Sequence, residues 1–128
     1  MWKFMRSRAH SIVNAIKGWW YVIRTQQNAW IHAVVTVLVV IMAFWMGLPV
    51  RDWAVLFLAI AMVWGAEFFN TSIEAVVDLA SPTKHPLAKV GKDVGAAAVL
   101  IAALSSVLIG LLILGPPLWE KVRFLFNR

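Results

Sequence analysis

Two carboxylates near the end of a long apolar stretch are the residues of this sequence best suited to chemistry. A helix rises about 1.5 Å and turns about 100° per residue, so Glu67 and Glu74 share one face, roughly 10 Å apart. Asn70, Thr71 and Asp78 lie on the same face. A charged group in a membrane-spanning helix is costly and therefore usually faces a bundle interior and carries function. The simpler alternative is polar packing, in which Asn70 and Thr71 bond to neighbouring helices.

The types and placement of these polar residues point to phosphoryl transfer. Glu67, the deeper acid, is placed to act as a general base toward a hydroxyl group at headgroup depth. Glu74 and Asp78, nearer to water, suit a hard divalent cation such as Mg²⁺, which prefers oxygen ligands. Lys92-Asp93 adds a cation that can offset the charge of a transferring phosphate. Because the sequence lacks a glycine-rich phosphate loop and the protein-kinase motifs, such a kinase would be of another kind.

Several nearby residues also have simpler interpretations. Lys84, His85 and Lys89 lie in a polar segment after the acidic face. Taken singly, Lys89 and Lys92 fit better as anchors whose long side chains reach the membrane surface, and His85 fits equally well as a loop residue. His32, near the start of the first apolar stretch, is expected to be satisfied by a polar contact rather than to bind a ligand. The combination of residues, not any single member, supports the phosphoryl-transfer hypothesis.

The composition identifies an integral membrane protein. Hydrophobic residues make up 62% of the 128 residues, well above the share of about half that is usual in soluble domains. At about 20 residues per span, the chain can cross a bilayer about three or four times, and a soluble multidomain enzyme is excluded. The net charge of +6 is expected to meet anionic lipid headgroups rather than nucleic acid. Without cysteine, the chain has no disulfide framework and no thiolate site.

The hydropathy pattern predicts one all-α domain over residues 1–128. Basic residues without acids, together with Ile and Trp at helical spacing, predict an amphipathic surface helix over residues 1–28. Three apolar segments are long enough to span a bilayer. These predicted spans are residues 30–48, 53–79 and 94–115, with a polar loop at 81–92.

Prolines and charged residues mark the predicted ends of these helices. Arg51-Asp52 is expected to form the short turn between the first two spans, and Pro82 and Pro86 to break the helix before the third. Pro116-Pro117 is expected to terminate the third span. The bias of Lys and Arg places the N-terminal helix and the 81–92 loop at the cytoplasmic face, where the acidic face also emerges.

The sequence motifs around these residues resemble those of a known family. Glu67, Asn70, Thr71, Ile73 and Glu74 follow the pattern Glu-x-x-Asn-Thr/Ser-x-Ile-Glu. The pattern continues through Asp78, Ser81-Pro82, His85-Pro86-Leu87-Ala88-Lys89, Lys92-Asp93 and Ala97-Ala98-Val99-Leu100. In these motifs the chain resembles the small prokaryotic diacylglycerol kinases and undecaprenol kinases, which are integral membrane proteins. The resemblance is specific and covers nearly the whole chain.

The resemblance implies a homotrimeric bundle with active sites shared between subunits, in the cytoplasmic (inner) membrane. Each subunit would contribute a surface helix and three spans, and the enzyme would phosphorylate a lipid hydroxyl with ATP and Mg²⁺. By position, Glu67 would be the catalytic base and Glu74 a metal ligand, with Asn70 and Asp78 as supporting polar groups. The nucleotide would contact Thr83, Lys84, His85, Lys92 and Asp93.

One departure from the family pattern concerns the metal. The family usually has a second metal-binding Glu in a segment resembling Asn-Glu-x-Asn-Phe-Arg-Ile-His, and Gln26 stands at that position here. Trp30 replaces the arginine of the same segment. An amide oxygen can coordinate a hard cation but brings no charge, so either the affinity for Mg²⁺ falls or one metal position is lost.

Three alternatives remain open at this point. The segments at 81–82 and 85–89 favour undecaprenol as the acceptor, with diacylglycerol as the second choice. A non-catalytic or degenerate membrane subunit is favoured by Gln26 and disfavoured by the intact Glu67 and Glu74. A small proton or cation transporter would use Glu67 as a relay, but it gives no role to the basic loop.

Overall fold

The chain is helical over almost its entire described length. The computed structural model describes residues 2–126, and the side chains of residues 6–126. Its elements are α1 (Trp2–Thr25), α2 (Gln27–Met46), α3 (Val50–Ala80) and α4 (Pro86–Phe126). Among the described residues there is no strand, and α2, α3 and α4 are each long and apolar enough to cross a membrane. The predicted all-α architecture with three spans is therefore confirmed, and the chain is a multi-pass membrane protein.

Helix α1 is amphipathic and attaches to the bundle through its C-terminal end. Ile12 and Ile16 stay exposed, whereas Val22 is buried beside Ala29 and Trp64. The helix ends at Thr25 rather than at residue 28, and Gln26 is the extended residue between α1 and α2. The first residue of the predicted surface helix lies outside the described residues. The exposed apolar side chains are free to enter the membrane surface.

The turn between α2 and α3 lies earlier than the sequence predicts. Gly47 ends α2 with a φ of 69°, a left-handed conformation that glycine adopts without steric cost, and its N–H donates to the Phe44 carbonyl (3.1 Å). Pro49 is the N-cap of α3. Arg51 and Asp52 are consequently helical, and the prediction that they form the turn is wrong. An acid in the first turn of a helix is favourable because it faces the positive end of the helix dipole.

The helix breaks between α3 and α4 as predicted, but the length of that loop and the predicted break at Pro116-Pro117 are wrong. The loop predicted at 81–92 is only residues 81–85, because Pro86 is the first residue of α4. Proline suits that position, where its N–H would have no helical partner and its fixed φ is already helical. Pro116 and Pro117 lie inside α4, which continues to Phe126. Each proline removes its own backbone hydrogen bond, and spanning helices tolerate this when their surroundings compensate.

Helices α3 and α4 form the central packed pair. Ala59, Val63, Val99 and Ala102 are buried, and Ser106 Oγ donates to the Ala59 carbonyl oxygen across the interface (3.0 Å). Small side chains let spanning helices approach closely. The pair thereby holds the acidic face of α3 against the N-terminal half of α4.

Candidate active site

Glu67 is the most deeply buried large side chain among the described residues. It is only 1% exposed, and its Oε2 lies 3.8 Å from Nε2 of His32 on α2. This distance is too long for a hydrogen bond, and neither atom has a hydrogen-bond partner among the described residues. A buried polar atom without a partner is costly and uncommon in native structures, so it calls for a functional or ligand-based explanation. The predicted base thus has a buried carboxylate oxygen that can still accept a hydrogen bond.

His32 is the functional candidate that sequence reasoning missed. A satisfied polar contact was expected for it, yet its Nε2 has no partner in the part of the chain that the structure describes. The available signal was its position, since His32 is the only titratable side chain between Arg24 and Arg51. Spacing along the chain could not pair it with Glu67, because the two residues meet only through the packing of α2 on α3.

Aromatic side chains from α1 and α3 pack around His32. The Trp64 ring meets the His32 ring edge to face, with centroids 6.3 Å apart, and Trp64 Nε1 donates to Thr36 Oγ1 (3.3 Å). Trp19 of α1 packs against Trp64 (5.6 Å) and against Phe68 (5.7 Å). Such aromatic pairs add stabilisation beyond the area they bury. The surface helix is therefore packed against the turn of α3 that contains Glu67.

One helical turn beyond Glu67, Asn70 orients Glu74. Asn70 is buried, and its Nδ2 donates to Glu74 Oε1 (3.1 Å). Its Oδ1 faces Gly95 of α4 so closely that a Cβ at that position would collide with it. Thr71 Oγ1 donates to the Glu67 carbonyl oxygen (2.9 Å). Asn70 and Thr71 each donate a hydrogen bond within α3, whereas the polar-packing alternative requires bonds to neighbouring helices. Asn70 Oδ1 is buried without a hydrogen-bond partner among the described residues.

Asp78 and Lys92 join α3 to α4 beside the loop. Asp78 Oδ1 lies 2.5 Å from Lys92 Nζ, and Lys89 forms a second ion pair with Asp93 one turn along α4. Both lysines are therefore engaged by acids in this structure. Asp78, considered from sequence as a possible metal-binding acid alongside Glu74, here has a cation as its partner.

The loop residues and the adjoining ends of α3 and α4 line an open cavity of about 800 Å³. Its volume is within the range of about 300–1,000 Å³ that is usual for small-molecule sites. His85 Nδ1 accepts a hydrogen bond from the Leu87 N–H (3.2 Å), and Ser81 Oγ donates to the Thr83 carbonyl oxygen (2.9 Å). The structure brings all the predicted nucleotide contacts together in the cavity wall, namely Thr83, Lys84, His85, Lys92 and Asp93.

The predicted metal ligands lie on different parts of the fold. Glu74 is half-buried on α3, and Gln26 is half-buried at the junction before α2, where its side chain does not cap that helix. Within the described residues, no three His, Asp or Glu side chains are grouped to hold a metal ion. Mg²⁺ is commonly held by one or two carboxylates together with water and phosphate oxygens. The donor chemistry of Glu74 fits that pattern, and a complete set of ligands needs groups from outside this chain.

A long apolar groove runs between α2, α3 and α4. Its volume is about 420 Å³, and its walls extend from Ile31 and His32 at one end to Gly115 and Leu118 at the other. Thr36 and Ser106 are the other polar side chains in its lining. The hydroxyl of Thr36 accepts from Trp64, and that of Ser106 donates to a backbone carbonyl. The groove therefore suits a hydrocarbon chain whose polar end lies beside His32.

Comparison with known proteins matches this chain to membrane lipid kinases. The family model described as "Prokaryotic diacylglycerol kinase" matches residues 13–114. The undecaprenol kinase of Bacillus subtilis (strain 168) is 42% identical over 108 residues, which cover 84% of this chain and 88% of that protein. A diacylglycerol kinase of Synechocystis is 41% identical over 99 residues, 77% of this chain and 57% of that protein. The diacylglycerol kinase of Escherichia coli (strain K12) is 31% identical over 111 residues, 81% of this chain and 91% of that protein.

Proposed function

This chain belongs to the prokaryotic diacylglycerol kinase family and is a membrane lipid kinase that uses ATP, and we propose that its preferred acceptor is undecaprenol. Support comes from the relative named undecaprenol kinase, which is 42% identical and matched over 88% of its length. The segments Ser81-Pro82 and His85-Pro86-Leu87-Ala88-Lys89 favour the same acceptor. Diacylglycerol is the second candidate, because the Synechocystis relative named for that substrate is nearly as similar, at 41%.

The observation that supports the proposed mechanism is the buried, partnerless carboxylate oxygen of Glu67, which lies 3.8 Å from Nε2 of His32, the residue that lines the polar end of the groove. Glu67 takes the proton of the lipid hydroxyl. The hydroxyl oxygen then forms a bond to the γ-phosphorus of ATP, and the bond between that phosphorus and the bridging oxygen breaks, so that ADP leaves with the bonding electrons. General-base catalysis of this kind is typically worth about 10²–10⁴ in rate.

The remaining residues position the phosphates. Lys92, now paired with Asp78, lies in the wall of the loop cavity and can turn to a phosphate of the nucleotide. Thr83, Lys84, His85 and Asp93 would contact the rest of the nucleotide in the same cavity. Glu74, oriented by Asn70, and Gln26 would hold Mg²⁺, which when bound offsets charge on the β- and γ-phosphates.

A homotrimer with shared active sites is part of the proposal. No three acidic or imidazole side chains of the described chain converge as metal ligands, and α3 and α4 leave large apolar side chains such as Phe69 and Leu104 exposed. A second copy can supply the missing ligands and cover part of that surface. The site would lie at the cytoplasmic face of the inner membrane, where the loop and the acidic face emerge.

Purified protein in mixed micelles provides the test. The protein is given labelled ATP and Mg²⁺, with undecaprenol and diacylglycerol offered separately, and the labelled lipid is identified. We expect phosphorylated undecaprenol as the preferred product, and loss of both products in Glu67→Gln. Asp52→Asn is the matched control, because it neutralises an acid at the far end of the same helix. Preference for diacylglycerol would overturn the proposed substrate, and wild-type turnover by Glu67→Gln would overturn the base.

A folded protein that phosphorylates neither lipid would instead favour the non-catalytic alternative. The transporter alternative predicts ion flux in liposomes without ATP. Flux that is lost in Glu67→Gln, without any lipid phosphorylation by the wild type, would replace the kinase proposal.

A further inference from the structure

We propose that His32 is the second group that binds the acceptor hydroxyl, donating a hydrogen bond from Nε2 to the oxygen whose proton Glu67 receives. This inference rests on the proposed function. It assigns to His32 contact with the reacting oxygen, which makes it a catalytic residue rather than part of the packing between α2 and α3.

The gap between His32 and Glu67 fits one hydroxyl oxygen. His32 Nε2 and Glu67 Oε2 lie 3.8 Å apart, and both are buried without a hydrogen-bond partner among the described residues. Hydrogen bonds to hydroxyl oxygens are about 2.7–3.0 Å long, so one oxygen can lie within reach of both atoms at once. A hydroxyl group is matched to this pair, because it has one proton to donate to Glu67 and lone pairs to accept from His32.

The groove offers a lipid few polar side chains. Three polar side chains line it, and two of them already have partners: Thr36 accepts from Trp64 Nε1, and Ser106 donates to the Ala59 carbonyl oxygen. His32 is the polar lining residue whose Nε2 has no partner in residues 6–126. A lipid tail that enters the groove therefore meets an available polar group only at the end where Glu67 lies.

The packing around His32 holds its ring in place and limits access of water. The Trp64 ring packs edge to face against His32 and is itself held by Thr36. His32 is 14% exposed and Glu67 only 1%, so little water reaches the gap between them. In such surroundings, hydrogen bonds to a substrate oxygen are stronger than in water, and a missing bond is correspondingly costly. The imidazole therefore helps to position the hydroxyl oxygen for attack while Glu67 accepts its proton.

The variants His32→Phe and His32→Gln separate this role from packing. Phenylalanine keeps a flat ring and removes the donor, whereas glutamine keeps an N–H donor without the ring. We expect His32→Phe to lower kcat/KM for the lipid roughly tenfold to a hundredfold. This is the range for a hydrogen bond to a charged group, here the lipid oxygen that gains negative charge as Glu67 takes its proton. The KM for ATP should stay unchanged, and His32→Gln should recover a large part of the loss. His10→Phe on the exposed face of α1 is the matched control and should behave as wild type.

A lipid without its hydroxyl provides a readout that a packing role would not change. The apparent affinity for a short polyprenol is compared with that for the hydrocarbon lacking the hydroxyl, used as a competitive inhibitor. In the wild type, the alcohol should bind more tightly than the hydrocarbon. In His32→Phe this preference should be clearly smaller, because Glu67 is then the one remaining partner of the hydroxyl group. Wild-type kinetics in His32→Phe, equal losses in His32→Phe and His32→Gln, or an unchanged preference for the alcohol would overturn the inference. A wild-type protein that phosphorylates no lipid would overturn the proposed function instead.

Discussion

Lys92 of α4 forms an ion pair with Asp78 of α3 across the loop of residues 81–85, with 2.5 Å between Nζ and Oδ1. The side chains are 38% and 66% exposed. Ion pairs this exposed contribute at most about 1 kcal/mol to folding. The pairing is therefore weak enough for a nucleotide phosphate, which carries more charge and more acceptor oxygens, to displace Asp78 from Lys92.

The first prediction separates the two partners of that ion pair. Lys92→Ala should lower kcat/KM for ATP by roughly tenfold to a hundredfold, because it removes a charge-assisted contact to phosphate. Asp78→Ala should have a much smaller effect, since it removes only the resting partner of Lys92. Steady-state kinetics with ATP varied at saturating lipid would measure both. Lys121→Ala is the control, because Lys121 bonds to the Trp45 carbonyl oxygen at the opposite end of the bundle. Equal losses in the two variants would mean that the ion pair itself is the functional unit.

The second prediction concerns the contact of Gly95 with Asn70. A methyl group at Gly95 would collide with Asn70 Oδ1, so Gly95→Ala should displace the side chain that orients Glu74. We expect a loss of stability of about 1–3 kcal/mol, as for other overpacked sites, together with a higher Mg²⁺ concentration for half-maximal rate. Thermal unfolding and a metal titration of the kinase rate would measure these effects.

Gly65→Ala is the matched control for Gly95. Gly65 lies in α3 with no atom near its missing Cβ, and alanine favours a helix over glycine by up to about 1 kcal/mol. Its stability should therefore stay the same or rise. If Gly95→Ala behaved in the same way, the close contact of α3 and α4 would not control the position of Asn70.

Much of the architecture follows from hydropathy and helical period alone. Apolar stretches of spanning length predict α2, α3 and α4, and the spacing of Glu67, Asn70 and Glu74 places them on one face. The structure has all three helices and buries Glu67 and Asn70. These features depend on short-range periodicity, which a sequence shows directly.

The errors share a different cause. Local rules predict that Pro116 and Pro117 end a helix, but a helix continues when its surroundings compensate for the lost hydrogen bonds. The sequence predicts a loop that extends beyond Pro86, but the loop ends at residue 85, because the fixed φ of proline suits the first turn of a helix. The sequence predicts a satisfied polar contact for His32 and misses its proximity to Glu67, because that proximity depends on how two helices pack. Local rules do not contain that information.

The third prediction concerns Gln26. Replacing it with glutamate adds a negative charge at the position where the family usually has one, so Gln26→Glu should lower the Mg²⁺ concentration needed for half-maximal rate. Gln27→Glu is the matched control, because it adds the same charge one residue further along, on an exposed side chain. A titration of the kinase rate with Mg²⁺ would compare the three proteins. If both variants shifted the metal dependence equally, general attraction to the added charge would explain the effect and Gln26 would not be a ligand position.

The fourth prediction sets stability against turnover at Glu67. A carboxylate that is 1% exposed, with Oε2 unpartnered, is expensive to bury, and a neutral amide of the same shape costs less. Glu67→Gln should therefore unfold at the same temperature as the wild type or at a higher one, while its kinase rate falls by about 10²–10⁴. Asp52→Asn, at the start of the same helix, should leave the kinase rate unchanged and lower stability by at most about 1 kcal/mol, because it removes a charge that faces the helix dipole. A Glu67→Gln protein that is clearly less stable than the wild type would show that the carboxylate has structural partners, and its burial would then not indicate a site reserved for substrate.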